Sequence, residues 1–225
     1  MTAIERLRRF LFATALAGIP LAHAGNGPVD LRAIDAVHGD AAAGKAKASV
    51  CSACHGPLGI AIVPTFPNLA GQKAEYLYWR LVMFKRAGKP ESPMTAQAAN
   101  LDDASMRDLA AYFASLPPAA GTAGTGTMPG AAIYRDGDPA AGVPPCQGCH
   151  GADARGRAGA DGDPRLRVYP MLRGQHAAYI AQRIKDLAAD ASPFTSTSHV
   201  MAPIARTLDA ASVDAIAHWL EAGAP

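Results

Sequence analysis

The six residues Cys51-Ser52-Ala53-Cys54-His55-Gly56 recur as Cys146-Gln147-Gly148-Cys149-His150-Gly151. On a helical turn, positions i, i+3 and i+4 share one face. Two thiols and an imidazole on that face can serve one planar group. The thiols form thioethers to the two vinyl groups of a haem, and the imidazole supplies the proximal ligand of its iron. All four cysteines are used, so none remains for a disulfide. A zinc site would need both cysteine pairs on one ion and would leave both histidines without a role. A thioredoxin-like redox pair wants a βαβ setting, and no strand of useful length is apparent. Two covalently bound haem c groups are therefore expected. One is held by Cys51 and Cys54 with His55 on the iron, the other by Cys146 and Cys149 with His150.

The motif is one landmark of a tandem repeat. Phe66-Pro67-Asn68-Leu69-Ala70-Gly71-Gln72 recurs as Tyr169-Pro170-Met171-Leu172-Arg173-Gly174-Gln175. Met94 with Leu101-Asp102 recurs as Met201 with Leu208-Asp209, and Tyr112 falls on Trp219. The second copy carries eight extra residues after His150 and four before Met201. Between the copies, residues 118–130 are rich in Pro, Gly and Thr and read as a linker. The expected units are residues 25–117 and 131–225.

Each copy reads as helical. Tyr76, Leu77, Leu81 and Phe84 recur at helix spacing over Gln72 to Ala87, as do Tyr179, Ile180, Ile184 and Leu187. The last helix of each copy starts at an Asp cap, Asp102 or Asp209. Its apolar stripe is Met106, Leu109, Ala110 and Phe113 in one copy, and Val213, Ile216, Ala217 and Leu220 in the other. A short helix is expected over Asp40 to Val50. Before Cys146, Pro144-Pro145 would cut its counterpart short.

What occupies the far side of each iron separates an open site from an electron relay. Met94 and Met201 match in the repeat and are expected on loops. A thioether there favours ferrous iron and raises the potential. His199 competes with Met201, but Ser92 holds its place in the first copy. Met83 and Met106 fit core filling, Met171 sits in a turn, and His38, His176 and His218 read as solvated or packing residues. Pro67 and Pro170 have carbonyls that could orient the proximal histidines, or they are plain turn prolines.

Residues 1–24 read as a secretory leader. Arg6, Arg8 and Arg9 precede an apolar run from Phe10 to Ala22, and Ala22-His23-Ala24 suits cleavage before Gly25. The run is too short to span a bilayer, and Pro20 interrupts it. Losing the leader leaves equal numbers of basic and acidic side chains, which argues against a nucleic-acid partner. Aromatics are only 6% of the chain, so a buried porphyrin would supply much of each core.

The paired C-x-x-C-H motifs, the paired P-x-L-x-G-Q turns and the paired methionines ahead of a Leu-Asp helix start resemble di-haem class I cytochromes c of the cytochrome c4 type. The resemblance implies an all-α fold of two tandem cytochrome c-like haem domains about a pseudo-two-fold axis. It implies iron ligation by His55 and Met94 and by His150 and Met201, with Pro67 and Pro170 as hydrogen-bond acceptors of the histidines. It implies a periplasmic carrier of single electrons, without catalytic residues. Its partners would be a redox donor and a terminal oxidase or similar acceptor, with peripheral attachment at the inner membrane. The competing class is an enzyme or enzyme subunit: the haem c subunit of a periplasmic dehydrogenase or thiosulfate-oxidising system, or a di-haem peroxidase. The loop Ala152 to Val168, with Arg155, Arg157, Arg165 and Arg167 among several Asp, departs from the pattern and reads as a solvated loop.

Overall fold

The computed structural model describes residues 28–87, 92–121, 127–157, 163–190 and 194–223. The leader lies outside these residues, as do positions 122–126 of the linker. Among the described residues the chain is helical, and strand pairing is limited to the isolated bridges Val29–Thr195 and Asp138–Val143.

The first half comprises α1 (Ala41–Lys47), α2 (Ser52–His55), α3 (Ala74–Ala87), α4 (Pro93–Ala99) and α5 (Asp103–Ser115). The second comprises α6 (Pro129–Asp136), α7 (Gln147–His150), α8 (Pro164–Arg167), α9 (Ala177–Ala189), α10 (Ser196–Thr207) and α11 (Ala210–Glu221). The expected caps are present. Asp102 accepts from Ser105 N and Asp209 from Ser212 N, both at 2.7 Å. Each half has its own core. In the first, Met106, Leu109, Ala110, Tyr112 and Phe113 of α5 pack with Leu77 and Tyr78 of α3. In the second, Ile216, Ala217, Trp219 and Leu220 of α11 pack with Ile180 of α9 and Tyr134 of α6.

A glycine sets the same helix crossing in both halves. A Cβ on Gly44 of α1 would lie 2.0 Å from Asp108 O of α5, and one on Gly130 of α6 2.1 Å from Ala215 O of α11. Only a hydrogen at these positions lets the backbones come so close. The pair also corrects the expectation of a truncated helix before Cys146. That helix is intact but lies upstream, beginning at Pro129, two residues inside the stretch read as linker. Residues Gly137 to Pro145 are extra relative to the first half. They form a turn closed by Asp138 N–Val143 O at 2.9 Å and Val143 N–Asp138 O at 2.8 Å. The second half therefore holds a third insertion.

The halves are docked through buried polar contacts that obey a pseudo-two-fold. The Gln72 carboxamide donates to Met171 O and accepts from Met171 N, both at 2.8 Å. Gln175 does the same to Asn68, donating to its carbonyl at 2.9 Å and accepting from its N–H at 2.8 Å. Asn68 adds a bond to Gly174 O at 2.9 Å, and His176 Nε2 lies 2.9 Å from Ala61 O. The N-terminal segment crosses over: Val29 N donates to Phe194 O and Ser196 N to Val29 O, both at 2.8 Å. One part of the Arg-rich loop is not solvated. Arg167 is 18% exposed and pairs with Glu75 of α3 at 3.5 Å, because α8 sits against the first half. Arg165, by contrast, is exposed and pairs locally with Asp163.

Candidate haem sites

Cys51 and Cys146 stand at the N-terminal ends of the single-turn helices α2 and α7, and each helix ends on its histidine. Both histidines are 5% exposed. His55 Nδ1 lies 2.9 Å from Pro67 O, and His150 Nδ1 lies 3.0 Å from Pro170 O. Each ring also meets an aromatic edge-on at 6.2 Å and 65°, Phe66 in one half and Tyr169 in the other. The agreement fixes the same ring orientation twice.

With Nδ1–H donated to a carbonyl, Nε2 keeps its lone pair. Burial lowers the pKa of both histidines, and the proline carbonyls only partly offset it. A neutral imidazole with a free Nε2 is the form that binds a metal. Burial pushes the Cys51 thiol up and Cys146 up to about 11. None of the four cysteines is in a disulfide, and Cys54 is exposed. The donor set therefore fits a covalently attached haem in each half.

A largely aliphatic cavity contains Cys146, His150, Pro170 and Met201, walled by Leu172, Ile180 and Ile184 among others. His199 is exposed and does not line it. Contrary to expectation, Met201 lies on a helix, within α10, whose N-terminus is set by Thr195 accepting from Ser198 N. Met94 is likewise helical, directly after Pro93 at the start of α4. Proline suits a first helical turn because the N–H it lacks has no partner there. His55 and Met94 do not line the cavity of the second half, but α4 packs on α3 as α10 packs on α9. His38 and His218 are exposed, and His176 packs at the interface between the halves.

Residues 41–117 match the Cytochrome c family profile. Cytochrome c4 from Azotobacter vinelandii is 38% identical over 193 residues, covering 81% of this chain and 89% of that protein. The chain belongs to the cytochrome c4 family. The structure of reduced cytochrome c4 from Pseudomonas stutzeri superposes with a TM-score of 0.71 at 31% identity, covering 82% of this chain and 99% of that one. A thiosulfate dehydrogenase electron acceptor from Thiomonas intermedia is 32% identical, covering 80% of this chain and 82% of that protein. As a cytochrome c4, the chain carries two covalently bound haem c groups and is a di-haem electron-transfer cytochrome. Among the described residues no helix is long and apolar enough to cross a membrane.

The interface between the halves is not legible in the repeat. Gln72 and Gln175 were visible only as repeat landmarks, and a Gln in a turn gives no sign that it will cross to a partner unit.

Proposed function

We propose that the protein is a periplasmic carrier of single electrons in which His55 and Met94 ligate one iron and His150 and Met201 the other. The observation that carries this reading is the paired His–Pro geometry, joined in the second half by Met201 in the cavity with His150. The haem irons supply reversible one-electron exchange. The chain holds the imidazoles neutral and aimed, excludes water with Leu172, Ile180 and Ile184, and offers no vacant position for a substrate. In this reading residues 1–24 are removed on export, and residues 25–117 and 131–225 each hold one haem.

Cys54 of the first motif is exposed. Around it the chain exposes Leu58, Ile60, Ile62 and Val63, and no Lys, Arg, Asp or Glu occurs between Lys47 and Lys73. Such a face suits short-lived contact with a redox protein, among them a terminal oxidase as acceptor. The Thiomonas relative favours a second reading of the donor side, in which a thiosulfate dehydrogenase delivers the electrons.

The test is a pyridine haemochrome count with exposure of the reduced holoprotein to carbon monoxide. Two haems per chain and no spectral change with carbon monoxide are expected. Ready carbon monoxide binding would mark an open iron and the enzyme class instead.

A further inference from the structure

The helices that carry Met94 and Met201 start differently. The first peptide N–H groups of a helix have no partner within it. Pro93 opens α4, so that helix has no N–H to satisfy at its first position. Ser196 opens α10, and its N–H is satisfied from the first half: it donates to Val29 O at 2.8 Å. Val29 N donates back to Phe194 O, also at 2.8 Å. Leu31 N donates to Ser196 Oγ at 3.1 Å, and Leu31 is itself 4% exposed. The short turn Leu31–Ala33 packs against α8 and α10. Arg86 of α3 sits over the Phe194 ring at 5.0 Å, so a second element of the first half grips the same residue.

The segment is anchored at both ends. Beyond the turn, Arg167 donates to Ile34 O at 3.4 Å, and Val37 is buried in the core of the first half. The helix it holds is the longer of the two. α10 begins five residues before Met201 and α4 one residue before Met94, which matches the four extra residues of the second copy. Pro203 inside α10 removes one of that helix's own hydrogen bonds, two residues past Met201. The helix therefore depends more on what secures its start.

We propose that Val29 to Leu31 act as a strap that seats the start of α10 and so positions Met201 on the second iron, making an N-terminal segment of the first half a determinant of the second haem's midpoint. The inference rests on Met201 as a ligand of that iron. Val29, Leu31 and Arg86 are positioning residues, since none of them lines the cavity that holds His150 and Met201. A thioether favours ferrous iron. A helix start that lets Met201 move away therefore lowers the midpoint of the second haem. It leaves the first haem alone, because α4 starts on its own proline.

The test is a redox titration of the holoprotein for Val29→Pro, Leu31→Ala and Leu31→Met, with the far-red methionine–iron band recorded on each sample and Met201→Ala run alongside. Met201→Ala should remove about half of the band and lower one midpoint. Val29→Pro, which deletes the N–H bonded to Phe194, should weaken the same half of the band. It should lower the same midpoint by about tenfold in its one-electron equilibrium, about 59 mV. Leu31→Ala should do so by less, and it carries the test if Val29→Pro yields no holoprotein. Leu31→Met, which refills the buried position, should restore both readings. A halved band in Met201→Ala with native band and midpoints in either strap variant overturns the strap and leaves Met201 a ligand; Val29 and Leu31 would then add stability alone. A shift in both haems, or in the haem that Met201→Ala leaves unchanged, also overturns it. A band intact in Met201→Ala overturns the ligand assignment and the strap's role with it.

Discussion

Gln72 holds both main-chain groups of Met171, its Nε2 on the carbonyl and its Oε1 on the N–H, each at 2.8 Å. Met171 follows Pro170, whose carbonyl accepts from His150. A side chain of the first half therefore braces the turn that aims the imidazole of the second. Gln175 repays the contact on Asn68, next to Pro67.

Replacing Gln175 with Ala strands the N–H and carbonyl of Asn68, which is 7% exposed. Each buried unpaired group costs about 1–3 kcal/mol, so thermal unfolding of the holoprotein should show a loss of about 2–4 kcal/mol. Gln72→Ala should cost less, because Met171 is only partly buried and its groups can reach water.

Gly59 and Ala154 occupy the same place in the two halves. Gly59 O accepts from Leu69 N and Ala70 N, and Ala154 O from Leu172 N and Arg173 N. Both have positive φ, 71° and 58°. A Cβ on Gly59 would meet Phe113 at 2.9 Å, whereas the second half has the smaller Leu220 in that repeat position. Gly59→Ala should cost about 2–4 kcal/mol, from left-handed strain and overpacking together. Phe113→Leu should relieve only the packing part, leaving a coupling of about 1 kcal/mol in a double-mutant cycle.

Thr195 caps the helix that carries Met201 and is 1% exposed. Thr195→Ala should lower stability by about 1–2 kcal/mol and weaken the far-red band of the second haem alone. Thr195→Ser, which keeps the hydroxyl, should restore both.

Acid should loosen the helix starts. Hydrogen bonds from Ser105 hold Asp102 below its ordinary 3.8, and those from Ser212 do the same for Asp209. Tyr78 and then Arg107 lower Asp103. A depressed carboxylate contributes stability that is present above the unfolded value and lost as pH falls through the folded one. Stability should therefore decline below about pH 4. Asn caps as well as Asp, so Asp102→Asn with Asp209→Asn should leave neutral stability nearly unchanged and flatten the acid limb of a pH-dependent unfolding series.

Much of this was written in local patterns. The motif pair, the Asp caps and the stripe of Met106, Leu109, Ala110 and Phe113 each concern residues close along one helix, where spacing alone determines who shares a face. The setting of Met201 was not legible, since Pro203 inside α10 reads as a break although the helix continues through it. The third insertion was hidden because Gly44 and Gly130 lie at different distances from their motifs. Only their contacts with α5 and α11 reveal the match. The Arg167–Glu75 pair and the crossing of Val29 to Ser196 join residues far apart in the chain, and no periodicity marks such partners.

The proposal that Met94 and Met201 each cap an iron is tested directly by the far-red charge-transfer band of the oxidised holoprotein. The native protein should show the intensity of two such haems. Met94→Ala and Met201→Ala should each remove about half of it and lower the midpoint of one haem, and the double variant should show none. A band that survives intact in either single variant would contradict the account.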